Sequence, residues 1–197
     1  MKSGERKLLF VFACAALLSL PPQSSASGPS ADALSLPCNG CHGTDGVSAG
    51  ISIPSIAGQD AEFMSRAMRE YKDGTRSATI MNRIAKGYKE YELRKIARFF
   101  SRKPWRSIKG PQEPGLLERG RRLHLEHCAE CHEDTGRYHD QDVPRIAGQR
   151  PRYLYMQMML YRDGGENLPQ PTEMAEKMAL IDDTGMKALA QLYADTD

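Results

Sequence analysis

The chain has 197 residues, of which 40% are hydrophobic and 26% charged, and its formal net charge is +2. This length suits one domain of ordinary size or two very small ones. Basic residues form no dense cluster, so nothing indicates nucleic-acid binding. The total conceals an asymmetry: residues 27–109 hold 14 Lys and Arg against 8 Asp and Glu, whereas residues 110–197 hold 10 against 16. The first part is therefore basic and the second acidic.

Residues 1–26 are predicted to be a secretory signal peptide. Basic residues precede an apolar run at residues 8–20, and small residues at 24–26 suit cleavage. The run is too short for a permanent transmembrane helix, and no later segment comes close. We therefore expect export to the periplasm, removal of the signal and no permanent membrane span. A lipoprotein anchored at Cys14 is the weaker alternative.

Two Cys-x-x-Cys-His motifs carry the main chemical signal. Their residues are Cys38, Cys41 and His42 in the first motif, and Cys128, Cys131 and His132 in the second. Two thiols at this spacing, followed at once by an imidazole, are typical of covalent c-type haem attachment. The thiols bond to the porphyrin edge and the histidine ligates iron. The sequence therefore predicts two covalently bound haem c groups.

The motifs belong to an internal duplication. Residues 54–59 and 144–149 repeat Pro-x-Ile-Ala-Gly-Gln at the same offset of 90 that separates the motifs. After a three-residue insertion near residues 165–171 the offset becomes 93, which aligns Met81 with Met174. The predicted organisation is a first domain at 27–102, a Pro- and Gly-rich linker at 103–114 and a second domain at 115–197.

The predicted fold class is all-α, since no alternating strand pattern is evident. Apolar residues at helical spacing predict helices over residues 61–72, 91–100, 113–127, 153–161 and 184–193. In the first of these, Phe63, Ala67, Met68 and Tyr71 are expected to share the apolar face. Trp105, in the linker, is expected to pack against a domain surface.

His42 and His132 are the predicted proximal iron ligands. A metal-bound histidine usually donates its second ring N–H to a fixed acceptor. Pro54 and Pro144 each lie 12 residues after the histidine, and their backbone carbonyls are the predicted acceptors.

Met81 and Met174 are the predicted sixth ligands, because the repeat aligns them and each precedes the last helix of its half. Met178 competes with Met174. His/Met ligation fills both axial positions and raises the reduction potential relative to bis-His ligation. No coordination site is left open, so we expect electron transfer rather than catalysis, and no catalytic residue is assigned.

Other classes of protein are less well supported. A zinc site needs four ligands, which would have to come from both halves or from additional histidines. A thiol-redox module would be expected within a thioredoxin-like βαβ pattern, which is absent from the sequence. A dihaem peroxidase would need an open iron site, which the paired methionines oppose.

The paired motifs, the Pro-x-Ile-Ala-Gly-Gln segments and the later methionines resemble the cytochrome c4 type of dihaem class I cytochrome. Residues 79–88 and 174–179 are similar to the haem subunit of flavocytochrome c sulfide dehydrogenase. Gly120 and His124 lie where class I cytochromes place a glycine and an aromatic residue, at the crossing of the first and last helices. The fold implied is two tandem class I domains, each wrapped around one haem.

This resemblance also implies partners. In that family, the haem subunit binds an FAD-containing flavoprotein that oxidises sulfide, and electrons leave to a soluble cytochrome c. The chain would then be a periplasmic, non-catalytic subunit. The alternative within the same resemblance is a free-standing cytochrome c4-like carrier that delivers electrons to a terminal oxidase.

Overall fold

The computed structural model describes residues 28–107, 109, 113–164 and 172–197. These residues form helices and connecting loops with no β-strand among them, so the all-α prediction is confirmed. The predicted signal peptide, part of the predicted linker and the predicted insertion at 165–171 lie outside these ranges. The division into two domains at a linker stays a prediction.

Each half begins with a helix that leads into or contains its motif, and further helices follow. The first half has α1 (Ala31–His42), a 3-10 turn (Thr44–Gly46), α2 (Ala61–Asp73), α3 (Met81–Ala85) and α4 (Glu90–Ser101). The second has α5 (Pro114–Leu123), a π-helical turn (His124–Cys128), α6 (Glu133–Gly136), α7 (Pro151–Asp163), α8 (Glu173–Ala179) and α9 (Asp183–Asp195). None of these described helices is long and apolar enough to cross a membrane.

Short polar side chains start the helices on either side of the first motif. The hydroxyl of Ser30 accepts a hydrogen bond from the backbone N–H of Ala33, at the start of α1. The carboxylate of Asp60 accepts bonds from the N–H groups of Glu62 and Phe63 at 2.8 and 2.9 Å, at the start of α2. These caps satisfy N–H groups that have no partner within their own helix.

Helix α4 buries the face that its periodicity predicts. Its four buried residues are Leu93, Ile96, Ala97 and Phe100. Three of them pack in a core cluster whose full membership is Leu34, Met64, Ile96, Ala97 and Phe100.

Helix α2 fully buries two residues outside the face predicted for it, and the predicted face is half-buried. It buries Met64 and Ser65, while Phe63 and Tyr71 are only half-buried. The reason is that both rings face the guanidinium of Arg76, which lies 6.0 Å from the Phe63 ring and 5.4 Å from the Tyr71 ring. The aromatic face of α2 therefore packs on a buried cation, and Phe63 also packs against the core cluster that contains Met64.

Helices α5 and α9 cross closely at Gly120. A Cβ atom at this position would lie 2.5 Å from the carbonyl oxygen of Ala188 and 3.0 Å from the Cβ of Leu192. One turn later, His124 packs edge-on against Tyr193, with the ring centroids 5.6 Å apart. A hydrogen bond of 3.0 Å joins His124 Nδ1 to the Tyr193 hydroxyl. The positions implied by the resemblance to class I cytochromes are thus the helix-crossing positions.

The repeated glutamines join the two halves. Gln59 of the first half bonds to the backbone N–H and carbonyl of Arg145 at 3.0 and 2.7 Å. Gln149 of the second half bonds to the same two groups of Ser55 at 2.8 and 2.9 Å. Since 59 and 149, like 55 and 145, are equivalent in the repeat, each half gives the other the same interaction. We call this contact, formed by Gln59 with Arg145 and by Gln149 with Ser55, the seam.

Trp105 lies along the seam, so the expected packing against a surface is observed. An added Cβ at Gly58 of the first half would be 3.2 Å from the Trp105 Cβ, and one at Gly148 of the second half would be 2.8 Å from its Nε1. The guanidinium of Arg145 lies 5.2 Å from the centre of the indole. The chain between the halves is thereby held against both.

Candidate haem-binding sites

The first motif occupies the C-terminal end of α1. Cys38 and His42 are four residues apart on this helix and so lie on the same face. His42 is half-buried, and its Nδ1 lies 2.8 Å from the carbonyl oxygen of Pro54. A hydrogen bond there fixes the ring and leaves Nε2 available as a metal ligand. The contact predicted from the sequence is therefore formed, and its role beside a haem stays a prediction.

The second motif differs at the corresponding histidine. His132 is buried, but its Nδ1 has no hydrogen-bond partner, and the predicted contact with Pro144 is not formed. The cause is the next residue. Gly43 follows His42 with φ 77° and ψ 164°, whereas the equivalent Glu133 carries a side chain that strongly disfavours this conformation. A left-handed conformation falls at Asp134 instead, while Thr135 keeps the positive φ of its equivalent Asp45, and the loop takes another path.

Burial shifts the pKa values of the histidine and of the first cysteine in each motif. It lowers the pKa of His42, and it lowers the pKa of His132 to about 4, with a smaller contribution from nearby His124. Both imidazoles are therefore neutral at pH 7, the form that binds iron. Burial raises the thiol pKa of Cys38 and Cys128. Reactive redox cysteines have lowered pKa values, so these thiols do not suit a thiol-exchange function.

The four motif cysteines form no disulfide. Within the described ranges, no group of three or more His, Cys, Asp or Glu residues is arranged to hold a metal ion. The additional histidines considered for a zinc site are therefore not brought to the second motif in such a group. Each pair of thiols remains free for thioether bonds.

The methionines divide into packing residues and candidates for iron. Met178 is 2% exposed and lies in the core of the second half with Leu154 and Ile181. Met81 is the first residue of α3 and Met174 the second of α8, and both are half-buried outside the two described core clusters. The thioether of Met178 is packed in the core, and this favours Met174 as the candidate ligand.

The residues present fit a haem in each half. Besides free thiols and neutral histidines, several buried side-chain nitrogens lack a hydrogen-bond partner, among them Nε of Arg76, Nε1 of Trp105 and Nε of Arg145. Buried donors without partners are costly, and the carboxylates of haem propionates are suitable acceptors. The sequence analysis assigned no role to Arg76 or to the two glutamines. The glutamines had one signal in the sequence, which is that both repeats contain a glutamine at the same position.

Sequence comparison finds c-type cytochromes. Over 67 residues, 34% of this chain, the sequence is 49% identical to the cytochrome subunit of sulfide dehydrogenase from Chlorobaculum tepidum, and the match spans 60% of that protein. It is 30% identical to cytochrome c-552 of Acidithiobacillus ferridurans over 76% of this chain and 72% of the relative. It is 26% identical to the thiosulfate dehydrogenase electron acceptor of Thiomonas intermedia over 96% and 90%. No family model matches.

Solved structures show the same fold. Reduced recombinant cytochrome c4 from Pseudomonas stutzeri superimposes with a TM-score of 0.73 at 23% identity, covering 85% of this chain and 99% of that one. Cytochrome c4 from Acidithiobacillus ferrooxidans gives 0.71 at 25% identity, covering 80% and 97%. The fold, the two motifs and the relatives agree: this chain belongs to the cytochrome c4 family of electron-transfer cytochromes c, together with the cytochrome subunit of sulfide dehydrogenase.

Proposed function

We propose that this protein is a periplasmic dihaem cytochrome c, the haem subunit of a sulfide-oxidising flavocytochrome. Haem 1 is bound through Cys38 and Cys41, and haem 2 through Cys128 and Cys131. When bound, each haem supplies a one-electron Fe(III)/Fe(II) couple. An FAD subunit oxidises sulfide, and the electrons pass through this chain to a soluble cytochrome c.

The residues of each half have separate roles in this function. His42 and His132 bind iron as neutral imidazoles, and Pro54 orients His42. Met81 and Met174 complete the axial ligands and keep substrates from the iron. The 49% identity to a sulfide dehydrogenase cytochrome subunit is the observation that carries the choice of substrate. The resemblance of the segment around Met81 to that family supports it.

A second candidate is a free-standing carrier that accepts electrons from a thiosulfate-oxidising enzyme or feeds a terminal oxidase. It is favoured by the relative that aligns with 96% of this chain, a thiosulfate dehydrogenase electron acceptor. The two candidates share the haem chemistry and differ only in the protein that reduces this one.

Purification of the tagged holoprotein from its native periplasm separates the candidates. A stoichiometric FAD protein that reduces this cytochrome on addition of sulfide supports the first. A haem-only protein that a thiosulfate-oxidising partner reduces contradicts it and supports the second. A covalent haem stain and the intact mass count the haems. Replacement of Cys38 and Cys41 by Ser is expected to remove one haem and leave the other.

A further inference from the structure

The second half of the chain holds the loop that supports the first motif. Gln149 is 3% exposed and Ser55 is 2% exposed, so their two hydrogen bonds are sealed from water. Next to them, the guanidinium of Arg150 donates to the carbonyls of Gly50 and Ala49, each at 2.7 Å. The hydroxyl of Ser55 also accepts from the N–H of Ser48 at 3.1 Å. Residues 48–55 are thereby fixed from across the seam.

One peptide group connects these contacts across the seam to His42, the predicted iron ligand. The N–H of Ser55 and the carbonyl of Pro54 belong to the same planar peptide unit. Gln149 accepts from that N–H at 2.8 Å, and the carbonyl lies 2.8 Å from Nδ1 of His42. Hydrogen bonds in such a chain polarise one another. A bond accepted by Gln149 therefore strengthens the carbonyl as an acceptor for His42.

We propose that Gln149, a residue of the second half, is a positioning residue for His42 and so tunes the potential of haem 1. This inference rests on the proposed dihaem function. A stronger hydrogen bond to the second nitrogen makes an axial histidine more basic. A more basic ligand stabilises Fe(III) over Fe(II). Gln149 therefore holds the potential of haem 1 below the value it would have without this contact.

The equivalent connection from Gln59 of the first half to His132 of the second half is not formed. Gln59 therefore provides a matched control. Gln59 bonds to Arg145 as Gln149 does to Ser55. The peptide that it holds joins Pro144 to Arg145, but Nδ1 of His132 has no partner there. Removing either glutamine costs the seam the same pair of bonds, and Gln149 also accepts from the N–H of Arg150 at 3.0 Å within its own half. Only Gln149 is linked to an axial histidine.

The test compares Gln149→Met with Gln59→Met in the full-length holoprotein. Methionine preserves the length and volume of the side chain and removes every hydrogen bond of the amide. Redox titration is followed by NMR, which identifies each haem from the hyperfine-shifted protons of its axial residues. With Gln149→Met, we expect the potential of haem 1 to rise and haem 2 to stay within error. Exchange of the His42 Nδ1–H with D2O should become severalfold faster. Gln59→Met should leave both haem 1 readouts unchanged.

Equal shifts of haem 1 in the two variants would mean that the seam merely loosens, and would overturn the proposal. An unchanged haem 1 in Gln149→Met would also overturn it. If Gln149→Met does not fold, Gln149→Glu keeps an acceptor for the Ser55 N–H and should lower the potential of haem 1 more than that of haem 2. A rise or no selective change would be contrary evidence. Fewer than two covalent haems in the wild type would instead refute the proposed function.

Discussion

Met174 and Met178 lie one helical turn apart in α8 and have different surroundings. Met178 is sealed in the core between α7 and α9, whereas Met174 lies near the start of α8 and is half-buried. A thioether in the core contributes through packing, and one outside the core is available to a metal. The difference in burial makes the choice of ligand testable with a pair of substitutions.

Met174→His is expected to replace the proposed sixth ligand of haem 2, which would lower the haem potential and remove the near-infrared band of Met–Fe(III) ligation. Met178→Leu conserves volume, so it should leave the spectrum unchanged and cost less than about 1.5 kcal/mol of stability. Absorption spectroscopy and denaturant unfolding of the holoproteins measure both. A spectral change only in Met178→Leu would show that Met178 is the ligand.

His124 should make stability depend on pH. Burial lowers its pKa below the ordinary value of 6.5. The unfolded chain then binds this proton more readily than the folded one, so stability falls as pH drops through about 6.5. His124→Phe keeps a ring against Tyr193 but does not titrate. It should cost about 1 kcal/mol at pH 8, for the lost hydrogen bond, and be less sensitive to acid.

Denaturant unfolding of the wild-type and His124→Phe holoproteins between about pH 8 and pH 5 measures this difference. The free-energy gap between the two should narrow as the pH falls. A gap that stays constant across this range would show that His124 does not titrate differently in the folded protein.

The crossing of α5 and α9 depends on one glycine. Gly120→Ala would place a methyl group against the carbonyl of Ala188 and force the two helices apart, at a cost of about 1–3 kcal/mol. Gly115→Ala is the control, because nothing lies within 4 Å of its added Cβ. It should be neutral or stabilise by up to about 1 kcal/mol. Thermal unfolding of both variants measures the change in stability. Equal changes at the two positions would rule out the close approach of the helices as the role of Gly120.

The helices were largely predictable and their partners were not. Leu93 and Phe100 have the helical spacing that predicts the buried face of α4, and the structure confirms it. Periodicity cannot say that Phe63 faces a cation, because Arg76 is distant in sequence and polar. It also cannot say that Gln149 bonds across the seam, since the repeat shows which residues of the two halves are equivalent but not which residues are in contact. The missing contact of His132 depends on the backbone freedom of a single residue, Gly43 or Glu133.

At the scale of the whole molecule, the charge asymmetry should make the two haems of the proposed dihaem protein react differently with charged reagents. Residues 27–109 have a balance of +6 and residues 110–197 a balance of −6. At low salt, hexacyanoferrate(III) should therefore oxidise haem 1 faster than haem 2, by about tenfold, the lower range of electrostatic steering. A cationic cobalt(III) complex should show the reverse preference. Stopped-flow mixing measures both rates.

Raising the ionic strength to about 1 M shortens the screening length to about 3 Å and should abolish both preferences. A preference that is independent of salt would indicate that haem exposure or potential, rather than surface charge, distinguishes the two haems. The same dependence should hold for docking, with acidic partners favouring the first half and basic partners the second.

The position of Trp105 gives the molecule an internal optical probe. It is the only tryptophan in the sequence; its backbone and Cβ lie beside Gly58 of the first half, and its indole lies beside Gly148 and Arg145 of the second. With a haem in each half, energy transfer to porphyrin quenches its emission while the halves remain together. Fluorescence therefore reports separation of the halves, and haem absorbance reports the state of each iron. The two signals can show in one experiment whether the halves part before either loses its axial ligands.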